Sequence, residues 1–392
     1  MSELGELLEL LHGARGSFRT ARGVLVHRYS SRLMQEAMKR DNARLSRRRG
    51  GSGATLMTFA TSGGSTEEPP DLHEELIRFW YEPPGRLREE TESAQQASRT
   101  TVLDGELWWT YSVDWGATSN AGLSEDEASR MGAGGGEAFR PLLDPSALAG
   151  VLEIERVDVE ADRLLVHARP RDDLDEFHRH TQLRVLSGAD ELELVVDRER
   201  GVVRRLAGYL DGGELSVTEF EELVFDEVFP EGTFVFVPPA GEEVRSPEAF
   251  GHREYTLEEA AELAGFRVFE IPELPEGQWR THVHFTPARE RPPMQANVAL
   301  FHHRANGRET FIVSQQKAGE GGFGWAGIYP DGPPFEELQR DGVDYTVIRG
   351  DKQQGNGSAV TLEREGTAIQ LQSQELDVET LLDLAASLRP VG

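Results

Sequence analysis

The 392-residue sequence has no cysteine. That removes disulfides, thiolate metal sites, cysteine nucleophiles and a lipid-bearing cysteine. Lysine is nearly as scarce: Lys39, Lys317 and Lys352 are the only three, so arginine supplies almost all of the 41 cations. Against them stand 69 acidic residues, for a net charge of −28. A field of that sign repels nucleic-acid phosphates and anionic lipid headgroups, which sets DNA and RNA aside as partners. Long apolar runs are missing too. No stretch reaches the ~20 residues of a membrane-spanning helix. The opening MSELGELLELLHGARGSF carries Glu3, Glu6 and Glu9 where a secretory signal carries basic residues, so the expected location is cytoplasmic.

Catalytic signatures are absent as well. The chain has no G-x-S-x-G elbow, no G-x-x-x-x-G-K-[ST] phosphate loop and no H-E-x-x-H zinc motif. Gly132 to Gly136 precede no βαβ unit and read as a loop. His282 and His284 alternate onto one face of a strand, as metal ligands do, with His302 and His303 nearby. No carboxylate stands at a completing spacing. These histidines, like His178 and His180, read as exposed. The expectation is a non-enzyme with no cofactor and no metal.

What is present is mostly β-patterned. Residues 2–12 form an amphipathic helix with Leu4, Leu7, Leu8 and Leu11 on one stripe and Ser2 as N-cap. Phe18 to Tyr29 alternates like a strand. Residues 31–49 read as a basic helix, with seven cations against Glu36 and Asp41, and 50–70 as a Gly/Ser/Thr loop. LIRFWYEPPGRLREET is a strand broken by a Pro-Pro-Gly turn, and TTVLDGELWWTY a hairpin about Asp104-Gly105. Residues 116–137 read as a loop, and 141–152 as a short helix. Strands then follow, joined by turns such as Ala161-Asp162 and Asp211-Gly212. A boundary falls near 238–254, where prolines cluster. TLEEAAELAG (256–265) carries a capping box and a glycine stop, and DVETLLDLAASL closes the chain as a second capped helix. Between those helices lie further β runs.

The order of these pieces resembles the LolA-like superfamily of bacterial lipoprotein carriers, which includes the RseB-type regulators. FWYEPPGRLREE (79–90), VLDGELWWTY (102–111), VVDRERGVVRRLAGYLDGG (195–213) and FPEGTFVFVPPAGEEV (229–244) carry the resemblance. TLEEAAELAGFRVFEIPELPEGQW (256–279) and the last helix resemble a small domain that follows such domains in Gram-positive envelope proteins. The resemblance implies an α+β fold: a half-open, curved antiparallel β-sheet with covering helices over 1–245, carrying an insertion at 31–70, then a smaller α+β domain over 254–390. It implies a lipid, acyl chain or other hydrophobic ligand in the concave face. The alternative is a regulatory module that holds a protein partner.

Trp80, Trp108, Tyr111, Trp115, Phe225 and Phe236 are the side chains that would line such a cavity, or else simply form the core. Strand alternation puts Trp109 opposite Trp108. In the basic helix, Leu33, Met34 and Met38 with Arg40, Arg44 and Arg47 suit a lid, a membrane-surface contact or a plain solvated face. Oligomeric state is not encoded in any of these features.

Overall fold

A computed structural model describes residues 2–37, 40, 71–123, 135–171, 188–247, 255–290, 293–305, 310–319, 335–350 and 357–392. The chain divides into two compact units, with the sequence boundary between Ser246 and Pro247.

The first unit is built on one twelve-stranded sheet. Its strands are β1 (Ala21–Ser30), β2 (Leu72–Glu82), β3 (Arg86–Ser93), β4 (Arg99–Asp104), β5 (Leu107–Ser112), β6 (Gly116–Ser119), β7 (Leu152–Val159), β8 (Arg163–Pro170), β9 (Glu191–Asp197), β10 (Val203–Leu210), β11 (Gly213–Phe225) and β12 (Val244–Arg245). In space they run β12-β6-β5-β4-β3-β2-β1-β11-β10-β9-β8-β7, so the sheet ends at β12 and β7 and is not closed into a barrel. Neighbours are antiparallel except β12, which lies parallel to β6. Alternation sorts the strands. Ile77, Phe79 and Tyr81 of β2, and Leu192, Leu194 and Val196 of β9, are buried on one face, called the inner face below. At the β10–β11 turn Asp211 and Gly212 both have positive φ, 50° and 76°. Two left-handed residues give the hairpin a twist that matches its strands.

Helices cover the inner face. Ser2 caps Glu3–Gly13 through its hydroxyl, which accepts the Gly5 N–H at 3.1 Å. That helix buries Leu7 and Leu11 against the sheet. Residues 31–37 are helical. The helix expected over 141–152 is two short helices, Arg140–Leu143 and Leu148–Val151, with a 3-10 turn between them. Pro145 is the cause, since it disfavours helical geometry at the residue before it. Asp144 accordingly sits at φ −124°, ψ 73°. Strand β6 lies inside the stretch expected to be loop.

The second unit holds β13 (Phe269–Glu270), β14 (Trp279–Thr286), β15 (Arg289–Glu290), β16 (Pro293–Met294), β17 (Asn297–Arg304), β18 (Thr310–Lys317), β19 (Glu336–Arg340), β20 (Val343–Ile348), β21 (Ser358–Arg364), β22 (Thr367–Ser373) and β23 (Arg389–Pro390). Seven form an antiparallel sheet in the order β14-β17-β18-β22-β21-β20-β19. Helices Leu257–Ala264 and Val378–Ser387 pack on it, burying Ala260, Ala264, Leu381, Leu382 and Ala385 beside Val283, Phe285, Phe311 and Val347. Both helices start as expected. Thr256 and Glu259 complete a capping box, and Asp377 accepts the Thr380 N–H. Fully buried Gln315 of β18 bonds both backbone groups of Phe269, at 2.7 and 2.8 Å, and so ties β13 to the sheet with its own amide satisfied.

Candidate functional site

The inner face of the first sheet is the place where a carrier-like cavity was expected. There the chain meets itself. Phe79 stacks on Phe139 at 4.2 Å, and the edge of Phe139 meets Tyr81 at 6.1 Å. Leu142, Leu143 and Leu148 join Phe139 from the paired short helices, and Leu7 and Leu11 from the first helix. All six of these helix-side residues are essentially inaccessible. A carboxylate is sealed in as well. Glu89 is 3% exposed, accepts the Gly136 N–H at 2.6 Å and is reached by Arg99 at 3.0 Å. A buried charge survives only when it is bonded in this way.

The six aromatic candidates do not share one surface. Trp108 packs half-buried against the inner-face core, opposite Leu103. Phe225 also packs there, beside Phe18 at 5.2 Å and under the Arg200 guanidinium at 4.6 Å. Trp80 pairs with Arg22 and Arg88, between inward Phe79 and Tyr81, and therefore points outward. Tyr111 lies on the same side as Trp109, opposite to Trp108. Trp115 sits in the β5–β6 turn and is 45% exposed. Phe236 belongs to the segment that follows β11. This corrects the expected common lining. Aromatics occupy consecutive positions 79–81 and 108–109, so type alone could not reveal which parity faces in.

The helix at 31–37 is anchored. Asp71 accepts the Ser30 hydroxyl at 2.8 Å and the Arg32 N–H at 3.0 Å, and Ser30 accepts the Leu33 N–H at 3.1 Å. Those bonds hold the Asp71 carboxyl below its ordinary range, the Arg32 amide contributing most. Leu33 and Met34 pack on the core. Arg40 pairs with Glu36 at 2.7 Å and with Asp211. Met38, Arg44, Arg47 and the expected loop at 50–70 lie outside the described residues.

A groove of about 510 Å³ opens elsewhere, between residues 226–235 and the strand ends bearing Glu82, Arg86 and Asp104. Asp226 turns the chain out of β11 at φ 59°, accepting the Arg19 N–H at 2.8 Å and pairing with Arg200 at 3.1 Å. Arg22 holds Glu227. The segment then crosses the outward side of β3. Arg86 lies over the Phe234 ring at 5.0 Å, and Arg88 donates to the Thr233 carbonyl at 3.5 Å. Phe229 meets Phe234 edge-on at 5.7 Å. Val228 is 90% exposed and Val235 59%. The sequence reading missed these valines. The signal for Val235 is the phrase TFVFVPP, whose alternation buries Phe234 and half-buries Phe236 while it exposes Val235 and Val237; Val228 lies outside that phrase.

In the second unit His282 and His284 are exposed on the face opposite Val283 and Phe285. The His282 and His303 rings lie 5.7 Å apart. His302 differs from the expectation. It is 3% exposed, stacks on Phe311 at 4.4 Å and shares a 2.9 Å hydrogen bond between Nδ1 and the Thr281 hydroxyl. Burial, helped by neighbouring His303, pushes its pKa down to about 4. Inward parity in β17 put it among the core residues. Among the described residues no three His, Asp or Glu side chains gather as a metal site. His178 and His180 lie outside the described residues.

No protein-family model matches the chain, and no curated protein matches it. Among solved structures it is similar to MucB, at 15% identity over 99% of this chain and 97% of that one, with a TM-score of 0.31. A MucA/MucB complex from Pseudomonas aeruginosa gives 15% identity, 100% and 98% coverage, and a TM-score of 0.31. A LolA superfamily protein from Nitrosomonas europaea gives 9% identity over 59% of this chain and 97% of that one, at 0.25. TM-scores this low establish neither a shared fold nor a shared function.

Proposed function

We propose that the chain is a non-catalytic binding module whose ligand is a protein. One observation carries this reading above all. The inner face of the first sheet, where a hydrophobic ligand would sit, is filled by Phe139, Leu142, Leu143, Leu148, Leu7 and Leu11 of the chain itself. Exposed apolar surface lies instead along residues 228–237. The carrier reading needs desolvated, unfilled apolar surface inside the sheet. The interaction reading needs an accessible apolar patch with a polar rim, as residues 226–235 provide.

Titration with a fluorescent long-chain fatty acid tests the choice. The protein-binding reading expects no saturable uptake. Saturable uptake, lost in a folded Trp108→Ser variant, would overturn it in favour of a lipid carrier.

A further inference from the structure

The outer-face groove has a chemical character of its own. Residues 226–244 contain five acidic side chains and no basic one. Two of the five, Asp226 and Glu227, are matched from beneath by Arg200 and Arg22. Glu231 is exposed on the groove wall and forms no ion pair with any described residue. Arg86 is already engaged, with Asp104 at 3.1 Å and Glu82 at 3.5 Å. The floor, by contrast, is apolar and aromatic, being the Phe229–Phe234 pair. Val228 and Val235 stand on its rim, and Val237 continues the same exposed edge. Single exposed valines are ordinary on a protein surface. Here two of them border one groove, of about 510 Å³.

Resting on the protein-interaction reading, we infer that this groove docks an extended segment of a partner protein in which basic and apolar side chains alternate. Apolar side chains would cover the half-buried Phe229 ring and dry the two valines. Basic ones would meet Glu231, the one acidic side chain lining the groove that has no ion pair with any described residue. An extended chain sends successive side chains to opposite sides, which lets one short segment satisfy both demands. Charge complementarity selects this occupant. An anionic lipid headgroup would approach a carboxylate rim on a chain of net charge −28 against repulsion. A basic segment is drawn in by the same field, and its on-rate falls as salt rises.

The probe is a short synthetic peptide of alternating leucine and arginine, labelled with fluorescein, with a leucine–glutamate peptide as its counterpart. Fluorescence anisotropy is read with the full chain. The leucine–arginine peptide is expected to bind and the leucine–glutamate peptide not to bind. Val228→Ser with Val235→Ser, and separately Glu231→Arg, should each weaken binding roughly tenfold, equivalent to ~1.4 kcal/mol. Glu262→Arg, at an exposed site in the second unit, has the same charge change and should leave binding within about twofold. Circular dichroism confirms that each variant is folded. Equal losses for Glu231→Arg and Glu262→Arg would show attraction to bulk charge and overturn the site. Absence of leucine–arginine binding, or equal binding of both peptides, would also overturn it. Failure of the broader reading has a separate signature, the saturable fatty-acid uptake described above.

Discussion

Acidification from pH 7 to pH 5 is expected to weaken the second unit through one buried imidazole. His302 is 3% exposed, packed on Phe311 and bonded at Nδ1 to Thr281, while its Nε2 has no hydrogen-bond partner. A proton on that ring would place a charge where nothing receives it. Its pKa is accordingly about 4, below the ordinary value of 6.5. Between those two values the unfolded chain binds the proton and the folded chain does not. Stability therefore falls as pH falls through that window. The loss is ~2 kcal/mol at pH 5 and approaches ~3 kcal/mol below pH 4. Asp71, Asp211 and Asp226 have lowered pKa values and act in a lower window. The stabilisation they give is present above the ordinary carboxylate range and is lost as pH falls through their lowered values. A His302→Gln variant keeps a partner for Thr281 and removes the titration. Hydrogen exchange of β17 and β18, read by mass spectrometry across urea concentrations at pH 7 and pH 5, measures the second unit directly. Wild type should lose ~2 kcal/mol more than His302→Gln between the two pH values. Parallel losses in the two proteins, or an NMR titration of His302 near 6.5, would refute the reasoning.

Two changes probe the filled inner face. Phe139→Ala removes the ring between Phe79 and Tyr81 and should cost about 3–5 kcal/mol of first-unit stability in urea denaturation. A cost under ~1 kcal/mol would mean that the face is not packed as described. Gly201→Ala sets a Cβ at 2.0 Å from the Leu10 carbonyl oxygen, at a φ of +73° that also disfavours alanine. The first helix should lift from the sheet, read as faster exchange over residues 3–13 and a lower Tm. Unchanged exchange there would contradict the close approach.

The sequence revealed features that rest on local chemistry. Gly105, in the turn after Asp104, and the Asp211-Gly212 pair close hairpins because those residue types tolerate the positive φ found there. The capped helices at 257–264 and 378–387 begin where their Thr and Asp side chains can satisfy free N–H groups. Features that depend on the strand alongside rather than on their own composition were hidden. GATS forms β6 because β5 and β12 flank it, and EELQR forms β19 because β20 pairs with it. Neither has a strong strand composition. Parity within FWY could not be read, because inward Phe79 and Tyr81 and outward Trp80 are all aromatic. His302 and His303 are adjacent and alike in type, yet alternation buries the first and leaves the second half-exposed. The groove at 226–235 joins segments far apart in sequence, so only its valine–phenylalanine alternation was visible beforehand.

Native mass spectrometry of the purified full chain, followed by solvent extraction and lipid analysis, tests most directly whether the inner face is filled by the chain itself. The account predicts the mass of the polypeptide alone and an extract free of stoichiometric lipid. A bound lipid released on denaturation, and absent from a folded Trp108→Ser variant, would contradict it.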